Sequence, residues 1–192
     1  MIKLVVVYHS VRGHTARVAE AVAEGAASVS GCNVLLLAAD AITERDWEAL
    51  DSADAIIFGC PTYMGGVTAP FKHFIDSASK RWHQQRWKNK LAAGFTNSGS
   101  LCGDKLSSLQ QIVLNAMQHS MIWVGTGLLP PSTKDTRPLG EQINRLGSSL
   151  GVMTQANDEP PEFSPPPGDI TTAKLLGQRV AEITIQFVRG RV

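Results

Sequence analysis

The chain has 192 residues, 43% of them hydrophobic and 18% charged, and its 18 basic and 17 acidic side chains leave a formal net charge of +1. That length suits one domain with a sizeable core, and the near-neutral balance excludes a polyanion-binding surface or an acidic tail, which sets nucleic acid aside as a partner. No apolar run approaches the roughly 18 residues needed to span a bilayer. The cysteines, Cys32, Cys60 and Cys102, are odd in number and lack CxxC or metal-ligand spacing, so reduced thiols, a cytoplasmic location and no metal site are expected.

The first apolar run, Ile2–Tyr8, ends before His9 and Arg12 with no small-residue cleavage pattern, so it reads as a strand and not as a signal peptide. After the string SVRGHT at residues 10–15, a helical stripe of Val18, Ala19, Val22, Ala23 and Ala26 follows. The runs at 33–37, 55–60, 91–97 and 121–125 are rich in Val, Ile, Leu and Phe without period-two alternation, as in strands of a parallel sheet buried on both faces. Leu106, Leu109, Ile112, Val113, Ala116 and Met117 form a second helical stripe. Residues 127–168 hold eight of the ten prolines and little periodicity, which reads as a lid over a site or a subunit contact, with disorder as the alternative. A last segment from Asp169, where Asp169 followed by Thr171 and Thr172 supplies an N-terminal capping signal, puts Ala173, Leu176, Gly177, Val180, Ala181, Thr184 and Phe187 on one face of a helix. Five strands alternating with helices predict a single doubly wound α/β domain over residues 1–192. Its parallel sheet takes the order 2-1-3-4-5, with helices on both faces.

In such a sheet, ligands sit outside the carboxyl ends of the strands where the strand order reverses. Three loops leave those ends: SVRGHT, PTYMGG at residues 61–66 and TNSGSLCGD at residues 96–104. The first joins a strand to a helix, converging backbone N–H groups, the hydroxyls of Ser10 and Thr15 and the positive end of a helix dipole on one point, an arrangement suited to a dianionic phosphate. Gly13 lets the backbone approach closely; an ordinary βα turn with an N-cap Thr is the alternative. Neither GxxxxGK with Ser or Thr nor GxGxxG is present, so a mononucleotide phosphate fits better than a dinucleotide. The other two loops offer backbone N–H and C=O groups for the polar edge of a flat heteroaromatic ring, with soft side chains for its faces.

Together YHSVRGHT, ADAIIFGCPTYMGG, FKHFID, FTNSGS, MQHSM and GQRVAEI resemble the flavodoxin-like FMN proteins, in particular the WrbA-like NAD(P)H:quinone oxidoreductases. The resemblance runs from Ile2 to about Phe187 and is weakest over residues 127–168. It implies that Ser10, Arg12, Gly13, His14 and Thr15 hold the FMN phosphate, that Pro61, Thr62, Tyr63, Met64 and Gly65 lie along the isoalloxazine, and that Thr96, Asn97, Ser98 and Gly99 line the ribityl chain and ring edge. His119 matches the second His of the family's HHGM segment and would sit beside the flavin, while Trp82 matches a Trp that reaches a neighbouring subunit's flavin pocket. The chain departs from the family at Met64, where an aromatic is usual, at Gly66, where Asn is usual, and at Leu150, which replaces an aromatic in the GTPYG-type string.

What the resemblance implies is an oxidoreductase in which NADH or NADPH is the co-substrate and a quinone-like molecule the acceptor, in a tetramer, although a dimer suits the same residues. His119 could donate a hydrogen bond or proton to the acceptor oxygen; taken without the resemblance it reads as a capping or core-edge histidine. Trp82 and Trp87 equally read as a solvent-shielding patch, and Cys60 and Cys102 as buried thiols. Two rivals remain at this point. An electron-carrier flavodoxin would use no nicotinamide, but carriers often show an acidic docking surface that this balanced chain lacks. A regulatory protein of the same fold is the other, although a receiver domain needs an acidic cluster where this chain has YHSVR.

Overall fold

The computed structural model describes residues 1–190. In chain order it runs β1 (Ile2–Tyr8), α1 (His14–Ala27), β2 (Cys32–Ala38), α2 (Glu44–Ser52), β3 (Ala55–Tyr63), β4 (Gly66–Val67), α3 (Ala69–Ser77), α4 (Ser79–His83), β5 (Leu91–Ser98), α5 (Lys105–Gln118), β6 (Ile122–Trp123), a 3₁₀ turn (Leu139–Glu141), β7 (Val152–Gln155) and α6 (Pro167–Arg189). The fold is α/β and flavodoxin-like, built on a parallel sheet. Leu4 of β1 pairs with Val34 on one side and Ala55 on the other, and Ala55 pairs in turn with Leu91 of β5.

Alternation along β1 creates two cores. Leu4 and Val6 face α1 and α6, joining Val18, Val22, Leu176 and Val180, whereas Val5 and Val7 face the opposite layer with Leu50, Phe58, Phe71, Trp87 and Ile112. From Leu4 to Val7 the strand is apolar because both faces are covered, while Lys3 near its start is exposed. Close approach of α1 and α6 depends on Gly177, where a Cβ would stand 1.9 Å from the Val22 carbonyl oxygen.

The sheet corrects the predicted one. It has seven strands in the order β2-β1-β3-β5-β6, with β4 hairpinned onto β3 and β7 paired to β5. The expected fifth strand is split: β6 pairs only with Leu91 and Ala92, while β7 takes up the carboxyl half of β5 from Phe95 to Ser98. The stretch read as one long loop therefore contains a strand, whose four residues are too few to show a period. Helix α6 begins two residues before Asp169, with Pro at its first positions, and Asp169 turns inward instead of capping. Helix α5 buries Leu109, Ile112 and Ala116 as expected, together with Lys105, Ser108 and Asn115, and leaves Leu106 and Met117 exposed. Cys60 is buried, its thiol pushed up to about 12 by desolvation, but Cys102 is exposed, contrary to its reading as a buried thiol. Among the described residues no helix is long and apolar enough to cross a membrane.

Candidate functional site

At the carboxyl ends of β1, β3 and β5 the loops enclose a cleft of about 390 Å³. Arg12, His14 and Thr15 line it from the first loop, Pro61 and Tyr63 from the second, and Asn97, Ser98 and Gly99 from the third. Its volume lies within the range of about 300–1,000 Å³ typical of small-molecule sites.

The loop between β1 and α1 is shaped by Gly13, the N-cap of α1, at φ 86°. The left-handed conformation turns the chain into the helix without a side chain, since a Cβ there would stand 2.7 Å from Pro161 Cγ. The first turn of α1 has no carbonyls to receive its N–H groups, so these point outward at the positive end of the helix dipole. Ser10 Oγ is buried with no hydrogen-bond partner. A buried hydroxyl without a partner is costly, and an anion at this helix terminus would satisfy it. The residues fit FMN in this respect: an orphaned hydroxyl, a glycine that a Cβ would crowd and a helix N-terminus belong to the loop whose Arg12, His14 and Thr15 line the cleft, although Ser10 and Gly13 themselves are not part of the lining.

The roof over that loop comes from the segment after β7. His14 donates a ring N–H to the Glu159 carbonyl at 2.7 Å, Arg17 Nη1 donates to the Pro161 carbonyl at 2.6 Å, and the exposed Arg12 pairs with Asp158 at 3.2 Å. Ala156, Asn157 and Asp158 join the cleft lining with Val11. None of these was read from the sequence as a site residue. The signal for the first three is positional only: they follow a strand that pairs with the cleft-bearing end of β5.

Elsewhere the predicted residues divide into lining and bracing. Thr62 and Thr96 are buried and share a hydrogen bond at 2.8 Å, with Thr62 also donating to Ser108 at 2.7 Å, so their hydroxyls tie β3, β5 and α5 together behind the cleft. Asn97 Oδ1 accepts from Thr154 at 2.8 Å, and the Gly99 carbonyl accepts from Gln155 Nε2 at 3.1 Å. Met64 and Gly65, at φ 49° and 75°, form the two-residue turn between β3 and β4, which leaves the Met64 side chain in solvent, and neither residue is part of the cleft lining. Leu150 lies outside the cleft lining, its carbonyl accepting from the Trp123 indole at 2.8 Å.

The structure does not bring His119 or Trp82 into this cleft. Helix α5 starts beside the third loop and carries the chain about 21 Å away over its length before reaching His119 at the C-cap. There His119 stacks on the buried Trp87 and, with Trp82, lines a separate groove of about 420 Å³ between α3–α4 and α5. Trp82 is partly exposed, while Trp87 is fully buried with its indole N–H on Asp51. Burial lowers the His119 pKa to about 4, against the opposing attraction of Asp51, so the ring is neutral at pH 7. The groove, although the larger, holds an orphaned ring nitrogen of its own in His119 Nδ1, but it lies away from the N-terminus of α1 that suits the cleft to an anion.

A family profile for NADPH-dependent FMN reductases matches residues 2–130. The chain is 44% identical to "Flavodoxin FldP" of Pseudomonas aeruginosa (strain UCBPP-PA14), over 97% of this chain and 99% of that protein. It is 32% identical to the "NAD(P)H dehydrogenase (quinone)" of Aromatoleum aromaticum, over 98% of this chain and 99% of that protein. Among solved structures it is similar to a "flavodoxin, WrbA-like protein from Agrobacterium tumefaciens", with a TM-score of 0.76 and 43% identity over 97% of this chain and 99% of that one. The chain belongs to the NADPH-dependent FMN reductase family and, within it, to the WrbA-like, flavodoxin-like proteins.

Proposed function

We propose that this protein is an FMN-dependent oxidoreductase that passes two electrons from NADH or NADPH to a quinone-like acceptor. The observation that carries the reading is the partnerless Ser10 hydroxyl in the loop that leads into the N-terminus of α1, a loop whose Arg12, His14 and Thr15 line the cleft and which a phosphate would complete. Family membership and the relative named as a quinone dehydrogenase support the reaction class.

When bound, FMN supplies the redox chemistry, accepting a hydride equivalent and releasing electrons to the acceptor. The chain binds and orients it. Ser10, Thr15 and the first amides of α1 take the phosphate beside Gly13, with Arg12 and His14 flanking. Pro61, Tyr63, Met64 and Gly65 border the ring, and Asn97, Ser98 and Gly99 line the ribityl chain and ring edge, braced from behind by Thr62 and Thr96. Residues 127–168 belong to the same domain and act as a lid, since Glu159 and Pro161 already rest on the phosphate loop. Trp82 and His119 share one groove remote from their own cleft, so they serve a neighbouring subunit's cleft in a tetramer or dimer. There the neutral His119 ring donates a hydrogen bond to the acceptor and holds no extra proton at pH 7. Unpaired cysteines suit a cytoplasmic protein.

A second reading, an electron carrier that never meets a nicotinamide, is favoured by the 44% identical relative that bears the name flavodoxin. Anaerobic addition of NADH or NADPH to the FMN-loaded protein separates the two. Bleaching of the yellow absorbance is the expected result. If neither nucleotide bleaches it while dithionite does, the carrier reading stands and the enzyme reading fails.

A further inference from the structure

Behind the cleft wall at Ser98 and Gly99 lies a group of charged side chains that the site assignments leave unused. Asp169, in the first turn of α6, accepts from Arg145 Nε at 2.7 Å and Nη2 at 3.0 Å and from the Gln155 backbone N–H at 2.8 Å. The two side chains are 2% and 5% exposed, and they neutralise each other. Lys105 stands apart from that exchange. Its residue is 1% exposed, and its Nζ donates to Ser98 Oγ at 2.8 Å and to the Ser100 carbonyl at 2.6 Å, both neutral oxygens. The cluster therefore carries one net positive charge, one hydroxyl away from the cleft.

Bracing two oxygens does not require an ammonium. Burying one away from water is expensive, and a neutral amide could donate to the same pair. Desolvation lowers the Lys105 pKa, but only to about 8, so the side chain keeps its charge over most of the neutral range. A fixed charge in a poorly hydrated place acts strongly on any charge that develops nearby. One such charge arises in the reaction proposed above, on which this inference rests. A hydride brings two electrons and one proton to the oxidised ring, leaving one negative charge until a second proton arrives.

We propose that Lys105 is a positioning residue that sets the redox bias of the cofactor site: its buried ammonium, bonded to Ser98 on the cleft wall, favours the reduced form of bound FMN and raises its reduction potential. Lys105 touches no reacting atom. It acts through its field across the Ser98 side chain, whose own proton goes to the Ser100 carbonyl at 3.2 Å, and the Arg145–Asp169 pair keeps the one nearby carboxylate from neutralising it.

The test is the ratio of dissociation constants for reduced and oxidised FMN, measured anaerobically for wild type, Lys105→Gln, Lys105→Met and Lys105→Arg. Both neutral variants are expected to raise the ratio about tenfold, which is a fall of about 30 mV in the two-electron midpoint potential, while the Arg variant stays close to wild type. A Gln variant with the wild-type ratio would overturn the proposal, because the hydrogen bond and not the charge would then matter. Should none of the variants hold FMN, the wild-type fold can be used in a Cys102→Ser background. Of the charged and ionisable groups around Lys105, namely Cys102, Arg145 and Asp169, this removes the thiol. The slope of potential against pH should then steepen by one proton per two electrons above about pH 8, and an unchanged slope overturns the proposal. A wild-type protein that does not bind FMN at all defeats the cofactor reading itself, an outcome distinct from a bound FMN with an unshifted potential.

Discussion

The imidazole of His119 lies on the indole of Trp87, ring centroids 4.3 Å apart and planes 28° from parallel. The histidine is 2% exposed and its Nδ1 has no partner, so burial opposes its protonation and the pKa falls to about 4. In the unfolded chain the ring takes a proton near pH 6.5. Between those values the unfolded state binds a proton that the folded state refuses, so the contribution to stability is complete above about pH 6.5 and is lost as the pH falls toward 4. Urea midpoints measured from pH 7 to pH 4 should decline more steeply for wild type than for His119→Phe, which keeps the stack and cannot titrate. Parallel declines would show that His119 contributes nothing to the acid sensitivity.

Gly13 and Pro161 meet where the segment after β7 crosses the loop between β1 and α1. At φ 86°, with 2.7 Å available to a Cβ, alanine at position 13 would be both strained and crowded. Gly13→Ala should destabilise the apoprotein by about 1–3 kcal/mol and weaken FMN binding by roughly tenfold or more, a loss of about 1.4 kcal/mol. Thermal unfolding and quenching of FMN fluorescence report the two effects separately. A variant that melts earlier but binds FMN normally would move the phosphate away from this turn.

Arg12 and Asp158 form an ion pair at 3.2 Å with both side chains largely in solvent, at 70% and 100% exposure. An exposed pair of this kind adds little to stability. On the proposed function its relevance is competition, because Asp158 occupies the guanidinium assigned there to flank the FMN phosphate and would bring a negative charge toward a dianion. Asp158→Asn should leave the unfolding midpoint of the apoprotein unchanged and tighten FMN binding a few-fold at low ionic strength. The gain should shrink in high salt as the exposed charges are screened. Weaker binding in the Asn variant would mean that Asp158 orders Arg12 for the ligand instead of competing for it.

What the sequence made readable was whatever repeats or concentrates. The buried strands β1, β3 and β5 appear as apolar runs, and the cleft's three loops are legible because glycine and small polar residues gather at the strand ends. Strand β7 escaped because Val152–Gln155 is short and sits among prolines, and with it went Ala156, Asn157 and Asp158. Met64 and Tyr63 were legible as neighbours but not as unequal ones: the positive φ of Met64 turns its side chain into solvent, a backbone property that composition does not reveal. His119 was placed by motif, and helix length contradicts that placement within one subunit, since fourteen helical residues separate it from the third loop. Asp169 looked like a helix cap because Thr171 and Thr172 follow it. Its true partner, Arg145, is 24 positions away and could be found only by folding the chain.

That Asp169–Arg145 pair is also where a single substitution should do most damage. The carboxylate holds the guanidinium by both oxygens and the Gln155 amide by one, and Gln155 in turn donates to the Gly99 carbonyl on the cleft wall. Asp169→Leu leaves a buried guanidinium with only the Gln155 side chain as a partner, a change that should cost about 3–5 kcal/mol. Removing both charges, in Arg145→Met with Asp169→Leu, should cost less than the single Asp169→Leu change, because no uncompensated charge remains. Guanidinium chloride denaturation of wild type, both single variants and the double variant closes the cycle. Costs that simply add would mean that the two side chains do not depend on each other. FMN affinity should follow a different order: both single variants and the double variant loosen Gln155 and hence Gly99, so all three should bind FMN more weakly than wild type even where the double variant recovers stability.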